Sequence, residues 1–451
     1  MTYQSCFIYL ILQITLLKTL NEYMKTGAID TILRWLSIVV IVSLLFLPPF
    51  RIKSSLPAIE LVDILVPIIG IILAFRFKAI QPKRFYLIIG IFATHILLTI
   101  AVNSRLGEMR DYFELFKLMK FALFAALFSL SGMLEDLKLF KQLFIALVIV
   151  NLMQYFNTFN INLLLSDIFP NPERYLYFGL DSAGQLTGKR MLGLAMNPNI
   201  NAIIFSVFAI LFWPRSDHKK RDFIWFFLAL TMAFLCQSRT AMVGMVGLIL
   251  VSSYLNRKHI RLIAVTAGIM VLSFAASFAT TKYSTSIVSA PNFMEAQNNL
   301  NEGDLSSKVT YLESVIHGEF LEGSSMDGRF EMWTHLWEMI KEKPLLGHAP
   351  YKEYFYENHI YSESEYVMMT WRYGFIGLLI YVFIYMYLVV IAIRNIHLSS
   401  AKVLLFTVLL MMVVAITNNP FSHQKILIFI AIIVGSFFWE LNKSSKNDSI
   451  R

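Results

Sequence analysis

Arginines beside apolar runs are the side chains of this sequence best suited to chemistry. Arg239 lies in the segment Cys-Gln-Ser-Arg-Thr at residues 236–240, between two apolar runs joined by almost no loop. A guanidinium at a membrane boundary is costly unless it is paired, and its planar fork of donors fits phosphate oxygens. Snorkelling to lipid headgroups is the alternative. The position favours a phosphate-binding role for Arg239.

Two further arginines lie at predicted helix starts. Arg190 lies in Gly-Lys-Arg-Met-Leu-Gly at residues 188–193, shortly before Asn-Pro-Asn at 197–199. This pattern fits either a ligand contact or an interfacial charge ahead of a helix, since proline is favoured at the first helical position. Arg329 follows Gly328 at the start of an amphipathic segment. A cation is slightly unfavourable at a helix N-terminus, which favours a ligand contact over a solvated helix start.

Carboxylates form a second group of candidate side chains. His359 and Glu363 share a face if their segment is helical, and Glu365 shares a face with Arg372 in the same way. A carboxylate near arginines at the mouth of a membrane domain can act as a general base toward a hydroxyl. For any one of these glutamates, an exposed position on a surface helix is the alternative.

The composition defines the elements that must position these side chains. The hydrophobic fraction is 57% and the charged fraction is 15%, whereas soluble proteins carry about 25% charged residues. Apolar runs long enough to cross a membrane recur along the chain. Because lipid offers no partner for backbone groups, the sequence predicts an all-α polytopic membrane protein with about twelve transmembrane helices. We place them at residues 34–50, 59–75, 85–102, 114–132, 138–157, 199–214, 222–237, 240–255, 262–280, 371–393, 402–418 and 425–441.

Basic residues in alternate short loops set the expected orientation. They place those loops and both termini in the cytoplasm, and they account for the net charge of +9 without a nucleic-acid partner. Three elements then lie outside, namely the loop 158–198, the turn 237–240 and the loop 281–370. The predicted divisions are a cytoplasmic or interfacial segment 1–33, spans one to nine in 34–280, the large outer loop 281–370, spans ten to twelve in 371–441, and a cytoplasmic tail 442–451.

The large outer loop is predicted to contain short helices. Residues 328–342 have apolar side chains at helical spacing, and Pro344 and Gly347 end that helix. The two cysteines, Cys6 and Cys236, both lie in apolar sequence and indicate no disulfide framework. The histidines and cysteines show no spacing typical of metal ligands. We expect neither a metal nor a cofactor.

Taken together, these segments resemble the O-antigen polymerase and ligase superfamily of bacterial membrane glycosyltransferases. The resemblance covers roughly residues 188–385. The segments that carry it are Arg190 with Gly193 and Asn197-Pro198-Asn199, Ser238-Arg239-Thr240, Gly328-Arg329 with Trp333, Pro344-Leu345-Leu346-Gly347, and Glu363-Ser364 followed by Arg372-Tyr373-Gly374-Phe375-Ile376-Gly377-Leu378. Each is weak alone, and the set on one membrane face is fairly specific.

The resemblance implies a GT-C-like glycosyltransferase that moves a glycan from undecaprenyl diphosphate at the outer side of the cytoplasmic membrane. It implies arginines rather than a metal at the diphosphate. In polymerases the acceptor is another lipid-linked repeat unit, and in ligases it is lipid A–core. Ligases carry a histidine where this chain has Glu363, eleven residues before Gly374. That departure favours a polymerase, while His359 four residues earlier keeps the ligase alternative open.

The expected function is therefore an inverting, metal-independent polymerase of O-antigen, capsule or exopolysaccharide. Glu363 is the expected general base, with Glu365 and His359 as further candidates. The expected substrate-binding residues are Arg190, Arg239 and Arg329 at the diphosphate, with Tyr366 and Arg372 at the acceptor. We expect Arg190, Arg239, Arg329 and Glu363 to surround one cavity at the outer membrane face.

The expected partners are the lipid-linked donor and acceptor, membrane lipids and, as a further candidate, a chain-length regulator. The expected location is the inner membrane, with many spans and an active site on its outer face. Two alternatives remain. One is an O-antigen ligase that transfers the glycan to lipid A–core. The other, from a different class, is a transporter or flippase of lipid-linked glycans.

Overall fold

The structure, a computed structural model, is built from helices wherever it describes the chain. The described residues are 28–49, 59–133, 136–168, 190–214, 223–255, 263–273, 275–276, 327–357 and 364–448. No β-strand occurs among them. The all-α expectation is thereby confirmed, as expected for backbone that must satisfy its own hydrogen bonds in lipid.

The helices of the described residues follow the predicted apolar segments. They are α1 (Ala28–Phe46), α2 (Leu61–Phe75), α3 (Lys83–Val102), α4 (Tyr112–Ser131), α5 (Leu137–Phe156), α6 (Ile161–Ile168), α7 (Pro198–Leu211), α8 (Phe223–Leu235), α9 (Arg239–Leu255), α10 (Ile263–Ser273), α11 (Asp327–Glu342), α12 (Lys352–Glu357), α13 (Glu365–Arg394), α14 (Ser399–Val414) and α15 (Gln424–Asp448). Short 3₁₀ turns lie at Phe77–Ala79, Thr158–Asn160 and Gly193–Ala195.

Several of these helices are suited to spanning a membrane. Among the described residues, five are long and apolar enough to cross one, namely α1, α3, α5, α13 and α15. Six shorter apolar helices are α2, α7, α8, α9, α10 and α14. With α4, they coincide with the twelve predicted spans. The protein is thus a multi-pass membrane protein, and the number of helices that cross stays a prediction.

Helix α4 lies at the centre of the N-terminal helices and packs against α1, α2, α3 and α15. Polar contacts join three of these helices inside the apolar bundle. Lys120 of α4 and Gln424 of α15 both donate to Asp63 Oδ1 of α2, at 2.6 and 2.8 Å. A charge within a membrane domain is costly unless paired, so these contacts fix the three helices relative to one another.

The C-terminal helices bring the predicted motifs toward this bundle. Helix α13 packs against α3 and α14, and α9 packs against α7 and α14. The amphipathic helix predicted in the outer loop is present as α11, which packs against α13. Its buried side chains, Leu336 and Ile340, form a cluster with Met368 and Trp371 of α13. The motifs of α11 and of α13 are therefore packed together.

Candidate functional site

The Asn-Pro-Asn segment both starts helix α7 and holds an arginine. Asn197 Oδ1 accepts hydrogen bonds from the backbone N–H of Asn199 at 2.9 Å and of Ile200 at 3.3 Å, and Pro198 is the first helical residue. This is an N-cap, which satisfies donors that a helix start leaves unpaired. Arg190 Nη2 donates to Asn199 Oδ1 at 2.8 Å. The segment therefore caps α7 and orients Arg190, while a ligand contact of Arg190 stays a prediction.

Arg190 also contacts the turn that precedes Arg239. Its Nε donates to the carbonyl of Cys236 at 3.3 Å. Arg239 is the first residue of α9; its side chain is exposed and has no hydrogen bond or ion pair with any residue that the structure describes. One arginine is therefore held by the protein, and the other is available to a ligand at the same turn.

Buried amides behind Arg190 were not predicted. Asn201 Nδ2 donates to Asn151 Oδ1 at 2.8 Å, and Gln154 Oε1 accepts from the backbone N–H of Gly193 at 3.1 Å. Gly193 has φ +58°, and a Cβ there would lie 2.6 Å from Asn201 Nδ2. Amide side chains often hydrogen-bond across helices in membranes. Amides inside otherwise apolar spans were the signal that could have identified them.

Gly374 interrupts helix α13, and the Pro-Leu-Leu-Gly segment fills the interruption. Gly374 has φ 65° and ψ −175° within the helix. The N–H of Phe375 donates to the carbonyl of Pro344 at 2.8 Å, and the N–H of His348 donates to the carbonyl of Trp371 at 3.0 Å. Backbone groups of α13 and of the outer loop thus satisfy each other. Two motifs that are distant in sequence form one joint.

Both glycines of this joint are required by its geometry. Gly347 has φ +69°, and a Cβ there would lie 2.5 Å from the Arg372 carbonyl group. A Cβ on Gly374 would collide with the backbone of Leu345. Both φ values lie in the left-handed region, which costs an ordinary residue about 1–2 kcal/mol. The sequence identified these glycines as motif residues, and the structure gives their packing role.

Replacing Gly374 with alanine should destabilise the protein by at least about 2 kcal/mol, because a strained backbone and a steric collision add together. The matched control is Gly90→Ala in α3, where a Cβ would have no neighbour within 4 Å. That control should be neutral or slightly stabilising. Thermal unfolding of the two variants in detergent measures the difference. Equal melting temperatures would refute the packing role.

Glu365 holds the connection between α14 and α15. It is fully buried, and its Oε2 accepts from the backbone N–H of Phe421 at 3.0 Å and of Ser422 at 3.3 Å. Its own N–H donates to the carbonyl of Ala415 at 2.9 Å. Hydrogen bonds from two backbone N–H groups fix the Glu365 carboxyl group in place. Glu365 thus fastens the start of α13 to residues 415–423, which we term the α14–α15 turn.

The same turn contacts the start of α9. Thr240 and Thr417 form a hydrogen bond between their hydroxyl groups. The α14–α15 turn therefore contacts the first turn of α9 on one side and the first residue of α13 on the other. Arg239 and Glu365 are thus linked through one short connection, although they lie far apart in sequence.

Arg372 and Tyr366 both contact other helices of the protein. Arg372 is 2% exposed, and its Nη1 lies 3.7 Å from Glu114 Oε1. The hydroxyl of Tyr366 donates to the carbonyl of Met412 at 2.8 Å. Both side chains therefore lie near the N-terminal end of α13, and each has a partner on another helix.

A buried ionic cluster surrounds Glu114 of α4. Lys117 Nζ lies 3.1 Å from Glu114 Oε1, and Lys352 of the outer loop also pairs with this oxygen. Arg372 completes the cluster, and sequence reasoning did not select the other three residues. Several charges in the first turns of an otherwise apolar span were the available signal, since charges in membrane helices are costly and usually functional.

The structure describes the remaining candidate residues only in part. Arg329 lies in the first turn of α11, and its side chain lies outside the described residues. His359 and Glu363 also lie outside them. The single cavity around Arg190, Arg239, Arg329 and Glu363 therefore stays a prediction. No group of three or more potential metal ligands occurs in the part of the chain that the structure describes.

Burial lowers the pKa of Lys352 from 10.5 to about 7. Glu114 opposes this shift, while the neighbouring charges of Lys117 and Arg372 add to it. Burial of the outer-loop segment against the bundle therefore disfavours the protonated form of the Lys352 amine.

This segment should bind the bundle more tightly as the pH rises from about 7 to 10.5. Between these pH values Lys352 is protonated when the segment is detached and solvated, and it is deprotonated when the segment is packed on the bundle. Rising pH therefore favours the packed segment by at most about 1.4 kcal/mol per pH unit. Melting temperatures of the wild type and of Lys352→Met should be compared at about pH 7 and about pH 9. The variant lacks this contribution. Parallel pH dependences would contradict the expectation.

The fold and these contacts define a helical multi-pass membrane protein with arginines and a buried ionic cluster at one set of helix ends. Residues 224–382 match the family model described as O-Antigen ligase. This match over residues 224–382 supports membership of the O-antigen polymerase and ligase superfamily. The matched stretch contains Arg239, the joint at Gly374 and Arg372, and excludes Arg190 and Glu114. A search of curated proteins gave no significant match.

Proposed function

We propose that the protein is a polysaccharide polymerase. It transfers a growing glycan from undecaprenyl diphosphate to the next lipid-linked repeat unit, at the outer face of the inner membrane. The observation that carries this proposal is the turn at Arg239. There an exposed arginine without a partner among the described residues follows the Cys236 carbonyl that Arg190 contacts, and Asn199 orients Arg190.

Two helix starts support a diphosphate at this turn. Helix α7 begins at Pro198 and α9 begins at Arg239. Asn197 already caps α7, but the helix dipole still makes the start of each helix positive. Phosphates bind such ends readily. Two arginines and two helix N-termini supply the charge needed by a diphosphate without any metal.

The transfer is a single displacement. The hydroxyl oxygen of the incoming unit forms a bond to the anomeric carbon, and the bond from that carbon to the diphosphate oxygen breaks. The electron pair leaves with the diphosphate, whose growing charge Arg190, Arg239 and Arg329 stabilise. The hydroxyl proton passes to Glu363 as general base. Attack from the opposite face inverts the anomeric configuration.

Glu363 is preferred to Glu365 as the base because Glu365 already accepts hydrogen bonds from the α14–α15 turn and is fully buried. A base must lie within hydrogen-bonding distance of the substrate proton. Arg372 and Tyr366 shape the acceptor side, where the joint at Gly374 fixes the end of α13. Orientation of two bound glycans contributes much of the rate in such a transfer.

An O-antigen ligase is the second candidate function. It is favoured by the description of the matching family model and by His359, which lies close to the position of the ligase histidine. In a ligase the acceptor is lipid A–core. The glutamate at position 363 is the residue that favours the polymerase. The GT-C-like architecture and a chain-length regulator as partner belong to the same proposal.

Deletion of the gene in its own host distinguishes the candidates. Loss of a polymerase leaves single repeat units attached to the final acceptor. Loss of a ligase leaves long chains on the lipid carrier with no transfer to lipid A–core. Loss of a transporter leaves single lipid-linked units on the cytoplasmic side. The proposal requires the first pattern, and either of the others would refute it.

A further inference from the structure

The connection between α3 and α4 holds the outer loop at several points. Asn103 Nδ2 donates to the carbonyl of Gly347 at 3.1 Å, and Lys343 Nζ donates to Asn103 Oδ1 at 2.6 Å. The guanidinium of Arg105 lies 4.2 Å from the ring centroid of Tyr351. These contacts join the N-terminal helices to the segment that follows α11. Asn103 and Arg105 lie outside the stretch that matches the family model, whereas their partners in the outer loop lie within it.

Two buried carboxylates complete this attachment. Asp111 is 0% exposed; its Oδ2 accepts from Arg105 Nε at 2.6 Å, and its Oδ1 accepts from the backbone N–H of Lys352 at 2.9 Å. Glu114, one helical turn further along α4, pairs with the side chain of Lys352 and faces Arg372. The two carboxylates thus bind the backbone and the side chain of one outer-loop lysine.

Glu114 is shared between the outer loop and α13. The cations Lys117 and Arg372 and the amine of Lys352 all lie within 4.0 Å of its Oε1 atom. Removing a buried carboxylate from such a cluster leaves its cations uncompensated, and this is much more damaging than losing an exposed pair. Arg372 also lies beside the joint, because its carbonyl group is the close neighbour of Gly347. A change at Glu114 would therefore displace both sides of the joint.

We propose that Glu114 and Asp111 are positioning residues for glycan transfer, which seat the outer-loop segment 343–352 and the Arg372 side chain on the N-terminal helices. This inference rests on the proposed function. Neither carboxylate touches a substrate in this account. They act through Lys352 and Arg372. The N-terminal helices are therefore necessary for a site whose Arg239 motif lies in the C-terminal half.

Glu114→Gln in the purified full-length protein is the test, with Glu338→Gln as the matched control. Glu338 forms an exposed ion pair with Lys341 in α11, so its charge can be removed without affecting the cluster. We expect hydrogen exchange of the backbone amides in 343–352 to become on the order of 10-fold faster in Glu114→Gln only. We expect kcat to fall on the order of 100-fold, since small misplacements are costly in transfer reactions. The KM for the lipid-linked donor should stay near the wild-type value.

Glu114→Asp keeps the charge and should recover more activity than Glu114→Gln, which a purely steric role would not produce. Wild-type exchange and wild-type kcat in Glu114→Gln would overturn the proposal. If Glu114→Gln does not accumulate as folded protein, Asp111→Asn undergoes the same measurements with the same expectations.

Hydrogen exchange needs no activity, so it separates this inference from the proposed function. Arg239→Ala should lose transfer while its 343–352 amides exchange as in the wild type. Failure of the proposed function would leave the exchange result of Glu114→Gln intact. Failure of the positioning role would leave the loss of transfer in Arg239→Ala intact.

Discussion

Cells whose only copy of this protein carries Arg239→Ala should make the single-repeat product and no polymer. The exposed guanidinium at the start of α9 is the cation best placed to contact the leaving diphosphate. Loss of one such electrostatic contact costs on the order of 10²–10³ in kcat. Separation of the extracted glycan by size measures the result, with protein level checked by immunoblot.

Two further variants sharpen this experiment. Arg239→Lys keeps the charge but loses the planar fork of donors, so it should restore little polymer. Arg34→Ala is the matched control, because Arg34 is 59% exposed and pairs with Asp136 at a distant helix end. The control should give the normal ladder of chain lengths. A normal ladder from Arg239→Ala would exclude the proposed role of this arginine.

Glu363→Gln should nearly eliminate turnover while the protein accumulates normally. Glutamine is close to glutamate in shape but cannot take the hydroxyl proton, and loss of a general base costs about 10²–10⁴ in rate. Glu365→Gln should behave differently. Because Glu365 accepts backbone hydrogen bonds from the α14–α15 turn, its replacement should lower the melting temperature. Turnover and thermal unfolding of the two purified variants provide the comparison.

The two glutamates give opposite signatures only if their roles are assigned correctly. Unimpaired turnover in Glu363→Gln would move the base to Glu365 or His359. A stable Glu365→Gln variant without activity would identify Glu365 as the base. His359→Ala in the same assay decides the remaining case, and it also tests the residue that keeps the ligase alternative open.

The positions of the helices could be predicted from the sequence because the length of an apolar run is a local property. The described helices coincide with the predicted spans, and the amphipathic helix α11 ends as its proline and glycine indicate. Helix α13 begins at Glu365, six residues before the predicted span that starts at 371. Its first residues are polar, and they are buried by ionic contacts that apolarity does not reveal.

The site was predictable only in part, for a related reason. Asn197 and Pro198 cap a helix by rules that act over a few residues, so their role could be read locally. The contact between Glu114 and Lys352 joins residues more than two hundred positions apart. Nothing in the local sequence of either residue specifies its partner. The same holds for Gly374, where glycine is needed because the backbone of Leu345 in the outer loop packs against it.

The most direct test of the account uses purified wild-type protein in liposomes supplied with lipid-linked single repeat units as the sole glycan. Glycan length on the lipid is followed over time, with Arg239→Ala as the inactive reference. The account predicts a growing ladder of lipid-linked chains from the wild-type protein, with no lipid A–core and no added metal. Transfer that occurs only after lipid A–core is added, or movement of the glycan across the bilayer without a change in length, would contradict it.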